Sequence, residues 1–132
     1  MVVRVILDTN FLLVPGQFKL DIFEEFARTL SFPYQLCIFK ETIDELSKIA
    51  ESKKRDASNA KVALKLIKQK NLKSLPNSYT QEGFYIDKII LENITDNDIV
   101  CTQDKELKRQ LRQKSKKIRI LTLKSKKHIV FE

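Results

Sequence analysis

An α/β fold, with a mainly parallel sheet of about five strands and helices on both faces, is predicted by three observations. Short apolar runs rich in Val and Ile alternate with segments of helical periodicity along the 132-residue chain. Strands alternating with helices imply crossover connections, and hence parallel strands buried between helices. No Pro/Gly-rich or Ser-rich linker breaks the pattern, and the length suits a single core, so residues 1–132 read as one domain.

Each element has a local reason. Residues 2–7 are apolar except for Arg4, which predicts a buried strand, and Asp8, Thr9 and Asn10 follow as good helix-capping types. Pro15-Gly16 predicts a turn. In 19–30, Leu20, Phe23, Ala27 and Leu30 recur at helical spacing with charged residues between them. A second buried strand is expected over 35–39. Helices follow at 41–50, with Ile43, Leu46 and Ile49 on one face, and at 55–70, with Val62, Ala63, Leu66 and Ile67 inward. The stretch 71–83 is the longest loop, with room for a short strand at 72–75. A helix over 84–93 buries Ile86, Ile89 and Ile90. A short strand at 99–102, a basic helix at 104–114 and strands at 119–123 and 128–131 complete the pattern.

Composition removes several chemistries. Two cysteines, Cys37 and Cys101, lie in apolar runs and read as buried thiols, and His128 is the lone histidine. Zinc sites built from Cys and His are thereby excluded. With Gly16 and Gly83 as the only glycines, there is neither a dinucleotide-binding glycine motif nor a phosphate-binding loop. No apolar run approaches the roughly 20 residues of a membrane span, and the start reads as a strand and not a signal peptide, so no membrane is expected and a cytoplasmic location is.

The net charge of +8 is unevenly placed. Residues 105–127 hold eleven Lys or Arg and one acid, Glu106, whereas 1–104 are nearly neutral. A cationic quarter on a neutral body favours a polyanionic partner such as nucleic acid. A Lys-rich solvated surface is the alternative.

Carboxylates remain for catalysis. In parallel sheets the site lies beyond the carboxyl ends of the strands, at a topological switch point. Asp8 and Asp104 end strands, while Glu45 and Asp87 sit on helices, and all four can converge on one cleft. Such a cluster would need a cation to relieve mutual repulsion, and oxygen ligands favour Mg²⁺ or Mn²⁺. Each acid also has a plainer reading. Asp8 and Asp104 suit helix caps, Glu45 suits a solvent-facing helix position, and Asp87 suits a cap or a pair with Lys88. Asp44, Asp96 and Asp98 read as surface or turn residues.

The chain resembles PIN-domain ribonucleases through four segments in order: VILDTNFLL, ETIDELSKIA, YIDKII and IVCTQDKELKRQLR. Gly83-Phe84-Tyr85-Ile86-Asp87 and the run from Thr102 to Arg109 are similar to the branch of the family that processes small-subunit ribosomal RNA. The resemblance implies a Rossmann-like three-layer fold and metal-dependent endonucleolytic cutting of single-stranded RNA, here an rRNA precursor. It implies Asp8, Glu45, Asp87 and Asp104 as catalytic metal ligands, with Glu106 as a further metal-site acid through water. Thr9, Asn10 and Thr102 would support the site. Lys88 stands where the rRNA-processing branch carries a second Asp, which leaves one or two ions open. Lys105, Lys108, Arg109, Arg112, Lys116 and Lys117 are the expected RNA contacts, and Tyr85 or Phe84 could stack a base. Eukaryotic members of that branch carry a basic N-terminal extension, and a chain starting at its first strand fits an archaeal version. Two alternatives stay open: a toxin ribonuclease held by an antitoxin, and a non-cutting RNA-binding or ribosome-assembly protein. A homodimer, an antitoxin or a ribosome-assembly factor are the corresponding protein partners.

Overall fold

A computed structural model describes residues 2–77 and 85–132. In chain order these form β1 (Val3–Leu7), α1 (Thr9–Leu12), α2 (Val14–Phe18), α3 (Ile22–Thr29), β2 (Tyr34–Phe39), α4 (Lys40–Glu51), α5 (Ala57–Gln69), β3 (Lys73–Leu75), α6 (Ile86–Asn93), β4 (Ile99–Cys101), α7 (Lys105–Lys114), β5 (Arg119–Lys124) and β6 (His128–Phe131). The six strands form one sheet in the order β3-β2-β1-β4-β5-β6. Neighbours from β3 through β5 pair in parallel, and β6 runs antiparallel to β5. The count exceeds the expected five because the short β3, for which the sequence left room at 72–75, joins the sheet.

Strand alternation divides the core into two halves, one on each face of the sheet, which gives three layers of helices, sheet and helices. Val5, Leu7, Ile99, Cys101 and Leu121 face the side covered by α1 to α5, where Phe11, Phe26, Leu46 and Ala63 are buried. Ile6, Cys37, Val100 and Ile120 face the other side, against Ile89 and Ile90 of α6 and Leu107 and Leu111 of α7. Both cysteines are free and buried, as their apolar surroundings predict. No helix among the described residues is long and apolar enough to cross a membrane.

Three local expectations are corrected. Pro15-Gly16 lies inside α2 and not in a turn. Proline is tolerated there because the first helical turn has no use for its missing N–H. A Cβ at Gly16 would stand 2.5 Å from Asn59 Oδ1 and 2.9 Å from Asn59 Cα, so glycine is what lets α2 approach α5. The helix expected from residue 19 starts at Ile22, since Lys19 has φ 51° and Asp21 accepts from the amides of Phe23 and Glu24. Asp98 is not a surface residue. It is 2% exposed and takes a bidentate pair from Arg4, at 2.9 and 2.7 Å. The register explains the partnership: Val5 pairs with Ile99, so the preceding residues of the two strands face each other. Arg4, the one charge in an apolar strand, thus meets a buried counter-charge.

The chain builds β1, β2 and β3 outward on one side, then returns to build β4, β5 and β6 on the other. The direction reverses between β1 and β4, which opens a crevice at their carboxyl ends.

Candidate active site

Asp8 stands at that crevice. Its N–H donates to the Cys101 carbonyl at 3.0 Å, extending the β1–β4 ladder by one bond. The chain then turns into α1, and Asp8 Oδ1 caps it by accepting from the Thr9 amide at 2.8 Å. Oδ2 accepts from the Thr102 hydroxyl at 2.9 Å, and the same hydroxyl oxygen accepts from the Asp104 amide at 3.1 Å. Thr102 therefore couples the loop after β4 to the carboxylate after β1. Capping and membership of the cleft are both true of Asp8.

The other acids arrive from separate elements. Asp104 caps α7, its Oδ1 accepting from the amides of Glu106 and Leu107 at 2.9 and 3.2 Å. Glu45 projects from α4 beside the fully buried Leu46, and its Oε2 accepts from the Thr9 hydroxyl at 3.2 Å. Asp87 is in the first turn of α6, behind Tyr85, whose side chain is 82% exposed. Asp8, Thr9, Asn10, Glu45, Tyr85, Ile86, Asp87 and Asp104 line one cleft of about 260 Å³. All four predicted carboxylates thus share a cavity.

Burial gives Asp8 unusual electrostatics. Only 4% exposed, it has its carboxyl pushed up to about 6, chiefly by desolvation, with the nearby charges of Asp104 and Glu45 adding to the rise. The hydrogen bonds from Thr102 and Thr9 work in the opposite direction. The donor set is all oxygen, which suits a hard divalent cation. Among the described residues no three Asp, Glu, His or Cys side chains are already gathered around a common point. Each carboxylate nevertheless keeps acceptor capacity beyond the bonds described, because an ionised carboxylate offers about four lone-pair sites.

Other expected residues lie elsewhere. Glu106 is outside the cleft lining and pairs with Arg109 at 2.5 Å. Lys108 bonds the Thr122 hydroxyl and the Glu132 carboxylate, each at 2.9 Å, and Arg112 donates to the Glu132 carbonyl. Lys105 is exposed in the first turn of α7, beside Asp104. Lys116 and Lys117 precede β5 and so lie at the amino end of the sheet, away from the cleft. Phe84 and Gly83 fall outside the described residues. Sequence reasoning passed over Gln103, whose side-chain amide bonds the backbone of Leu123 and the Thr122 hydroxyl and so ties the Asp104 loop to β5. The one available signal was its place between Thr102 and Asp104.

Comparisons with known proteins agree with this layout. Residues 5–126 match the family described as PIN like domain. The chain is 30% identical over 128 residues to Ribonuclease VapC4 of Methanocaldococcus jannaschii, covering 95% of this chain and 93% of that protein. It is 31% identical over 112 residues to the rRNA-processing protein fcf1 of Schizosaccharomyces pombe, covering 83% of this chain and 54% of that longer protein. The solved structure of the PIN domain endonuclease Utp24 superposes with a TM-score of 0.81 at 29% identity, covering 98% of this chain and 90% of that one. A parallel sheet with its acids at the β1–β4 switch point and a family match across nearly the whole chain lead to one assignment: this chain belongs to the PIN-like domain family.

Proposed function

We propose that the chain is a divalent-metal-dependent endoribonuclease that cuts single-stranded RNA, with residues 1–132 acting as one domain. The observation that carries this reading is the convergence of Asp8, Glu45, Asp87 and Asp104 on one cleft, with Asp8 buried and its carboxyl raised to about 6. An acidic cleft alone would repel a phosphodiester. When bound, Mg²⁺ or Mn²⁺ supplies the positive charge that polarises the phosphoryl group and lowers the pKa of water. Asp8, Glu45, Asp87 and Asp104 are the residues that would hold one or two such ions. Thr102 orients Asp8 and Thr9 orients Glu45, so both hydroxyls fix ligand geometry. Asn10 borders the cleft and is placed to donate to a phosphate oxygen. Tyr85, with its ring open to solvent at the cleft wall, offers a face on which a base can stack.

For the biological role we favour ribosomal RNA maturation, supported by the likeness to the rRNA-processing protein fcf1, while the likeness to Utp24 supports endonucleolytic cutting. A toxin role, with an antitoxin as partner, is the second reading; the match with Ribonuclease VapC4 along nearly the whole of both chains supports the ribonuclease activity that it shares with the first. Expression with and without a cognate small protein separates the two, since growth arrest relieved by that protein belongs to the toxin reading alone.

The activity itself is tested by titrating Mn²⁺ calorimetrically into wild type and Asp8→Asn while following cleavage of a labelled single strand. The expected result is that the substitution weakens Mn²⁺ binding and abolishes cleavage together. Binding and cleavage that both survive in Asp8→Asn would defeat the proposal.

A further inference from the structure

The basic quarter of the chain is not one surface. Of its eleven Lys and Arg, five are engaged within the fold. Lys108 meets Glu132, Arg109 meets Glu106, Arg112 bonds the Glu132 carbonyl, Lys114 bonds the Leu91 carbonyl, and Arg119 lies over the rings of Phe32 and Phe131. Lys116 and Lys117 are at the far end of the sheet. What remains at the cleft end, besides Lys105, is the tip of the β5–β6 hairpin with Lys124, Lys126 and Lys127, all exposed.

Strand register places this tip. Leu121 of β5 is level with Cys101 of β4, and Cys101 is level with Leu7, the residue before Asp8. Lys124 is three residues further along, about 10 Å beyond that level at roughly 3.3 Å per residue. β5 is the immediate neighbour of β4, so the hairpin stands one strand from the end of β4 and projects past the floor of the cleft. Gln103, adjacent to Asp104, grips the base of the hairpin through Thr122 and Leu123. The tip is thus fixed relative to the acidic site.

We propose that this hairpin tip is a rim that binds the phosphate backbone of a single RNA strand running to or from the Asp8 cleft. The proposal rests on the endoribonuclease reading and names how that site takes its substrate. Lys124 and Lys127 make no side-chain ion pair or hydrogen bond among the described residues, so their ammonium groups are available to phosphates. Lys126 lies over the ring of Phe18, 5.6 Å from its centre, and Phe18 is itself 38% exposed. Cations beside an open aromatic face are the combination that holds single strands without sequence preference. The backbone supports the same use. Ser125 and Lys126 have φ of 56° and 58°, a region where glycine sits without strain. A lysine kept in that conformation puts charge at the apex where a glycine would only ease the turn.

The test compares two charge-matched variants, Lys124→Gln/Lys127→Gln and Lys116→Gln/Lys117→Gln, with wild type. Binding of a fluorescent single-stranded RNA is followed in EDTA, and cleavage kinetics are followed in Mn²⁺. At about 0.7 counterions released per contact, the hairpin variant should lower the steepness of log affinity against log salt by about 1.4, so that wild type loses about sevenfold more affinity than the variant between about 50 and about 200 mM salt. The Lys116/Lys117 variant should keep the wild-type slope. In Mn²⁺ the hairpin variant should raise KM and leave kcat unchanged. Equal slopes for the two variants, or no RNA binding by wild type, would overturn the rim. Cleavage with equal slopes would sink the rim and leave the nuclease reading intact. Hairpin-dependent binding without Mn²⁺-dependent cleavage would do the reverse.

Discussion

Replacing Asp8 by Asn should make the metal-free chain more stable at neutral pH, although it removes the central carboxylate. Asp8 is 4% exposed, and its carboxyl is raised from an ordinary 3.8 to about 6. The folded chain therefore holds this proton more tightly than the unfolded chain does. Below the unfolded value the neutral acid costs nothing; the cost grows as pH rises from the unfolded to the folded value and levels off above it. At about 1.4 kcal/mol per tenfold change in proton affinity, ionised Asp8 costs the native state about 3 kcal/mol above pH ~7. Asn avoids that cost but has one acceptor oxygen where Asp8 has two, for Thr9 and Thr102, so the net gain should be about 1–3 kcal/mol. Urea unfolding in EDTA at about pH 4 and about pH 8 measures it. The gain should appear at the higher pH and disappear at the lower, where the lost acceptor leaves Asp8→Asn no more stable than wild type or slightly less so. A difference independent of pH, or a loss of stability at the higher pH, would refute burial as the source of the Asp8 shift.

Thr102→Val removes the hydroxyl that lowers the Asp8 value, so the Asp8 carboxyl should titrate still higher, readable by carbon NMR; an unchanged titration would show that the Thr102 bond has no weight. Asp98→Ala strands the Arg4 guanidinium and the Thr95 amide, and should cost about 2–3 kcal/mol in urea unfolding, at the low end for a buried pair because Arg4 is partly open to water. Gly16→Ala pushes a methyl into Asn59 and should cost about 1–3 kcal/mol by the α2–α5 separation it forces, whereas Pro15→Ala, in the first turn of the same helix, should cost under about 1 kcal/mol.

The strands and the main helices were legible because each carries its own periodicity. Val5, Ile6 and Leu7 announce a strand buried on both faces, and Leu107 and Leu111 give one helix its inner side. The four acids were legible as candidates because strand ends at a switch point are where ligands bind, and their meeting in one cleft needed only the expected topology. Pairings that depend on register were not legible. Arg4 and Asp98 lie 94 positions apart, and only the β1–β4 alignment makes them neighbours. The same holds for Lys108 with Glu132 and for Gln103 with β5, which is why a uniform basic stretch resolved into engaged, distant and cleft-facing lysines. α1 and α2 were hidden because proline and glycine, read locally, signal a turn. Their tolerance here comes from a first helical turn and from contact with Asn59.

The central claim is that four carboxylates on four elements act as one metal-holding site. Its most direct measurement is Mn²⁺-dependent, single-turnover cleavage of one single-stranded RNA by Asp8→Asn, Glu45→Gln, Asp87→Asn and Asp104→Asn, beside Glu106→Gln. The account predicts that each of the first four loses at least about a hundredfold in rate. Glu106→Gln, at a residue held by Arg109 outside the cleft lining, should stay within about tenfold of wild type. Any of the four cleaving at the wild-type rate, or Glu106→Gln failing as completely as Asp8→Asn, would contradict it.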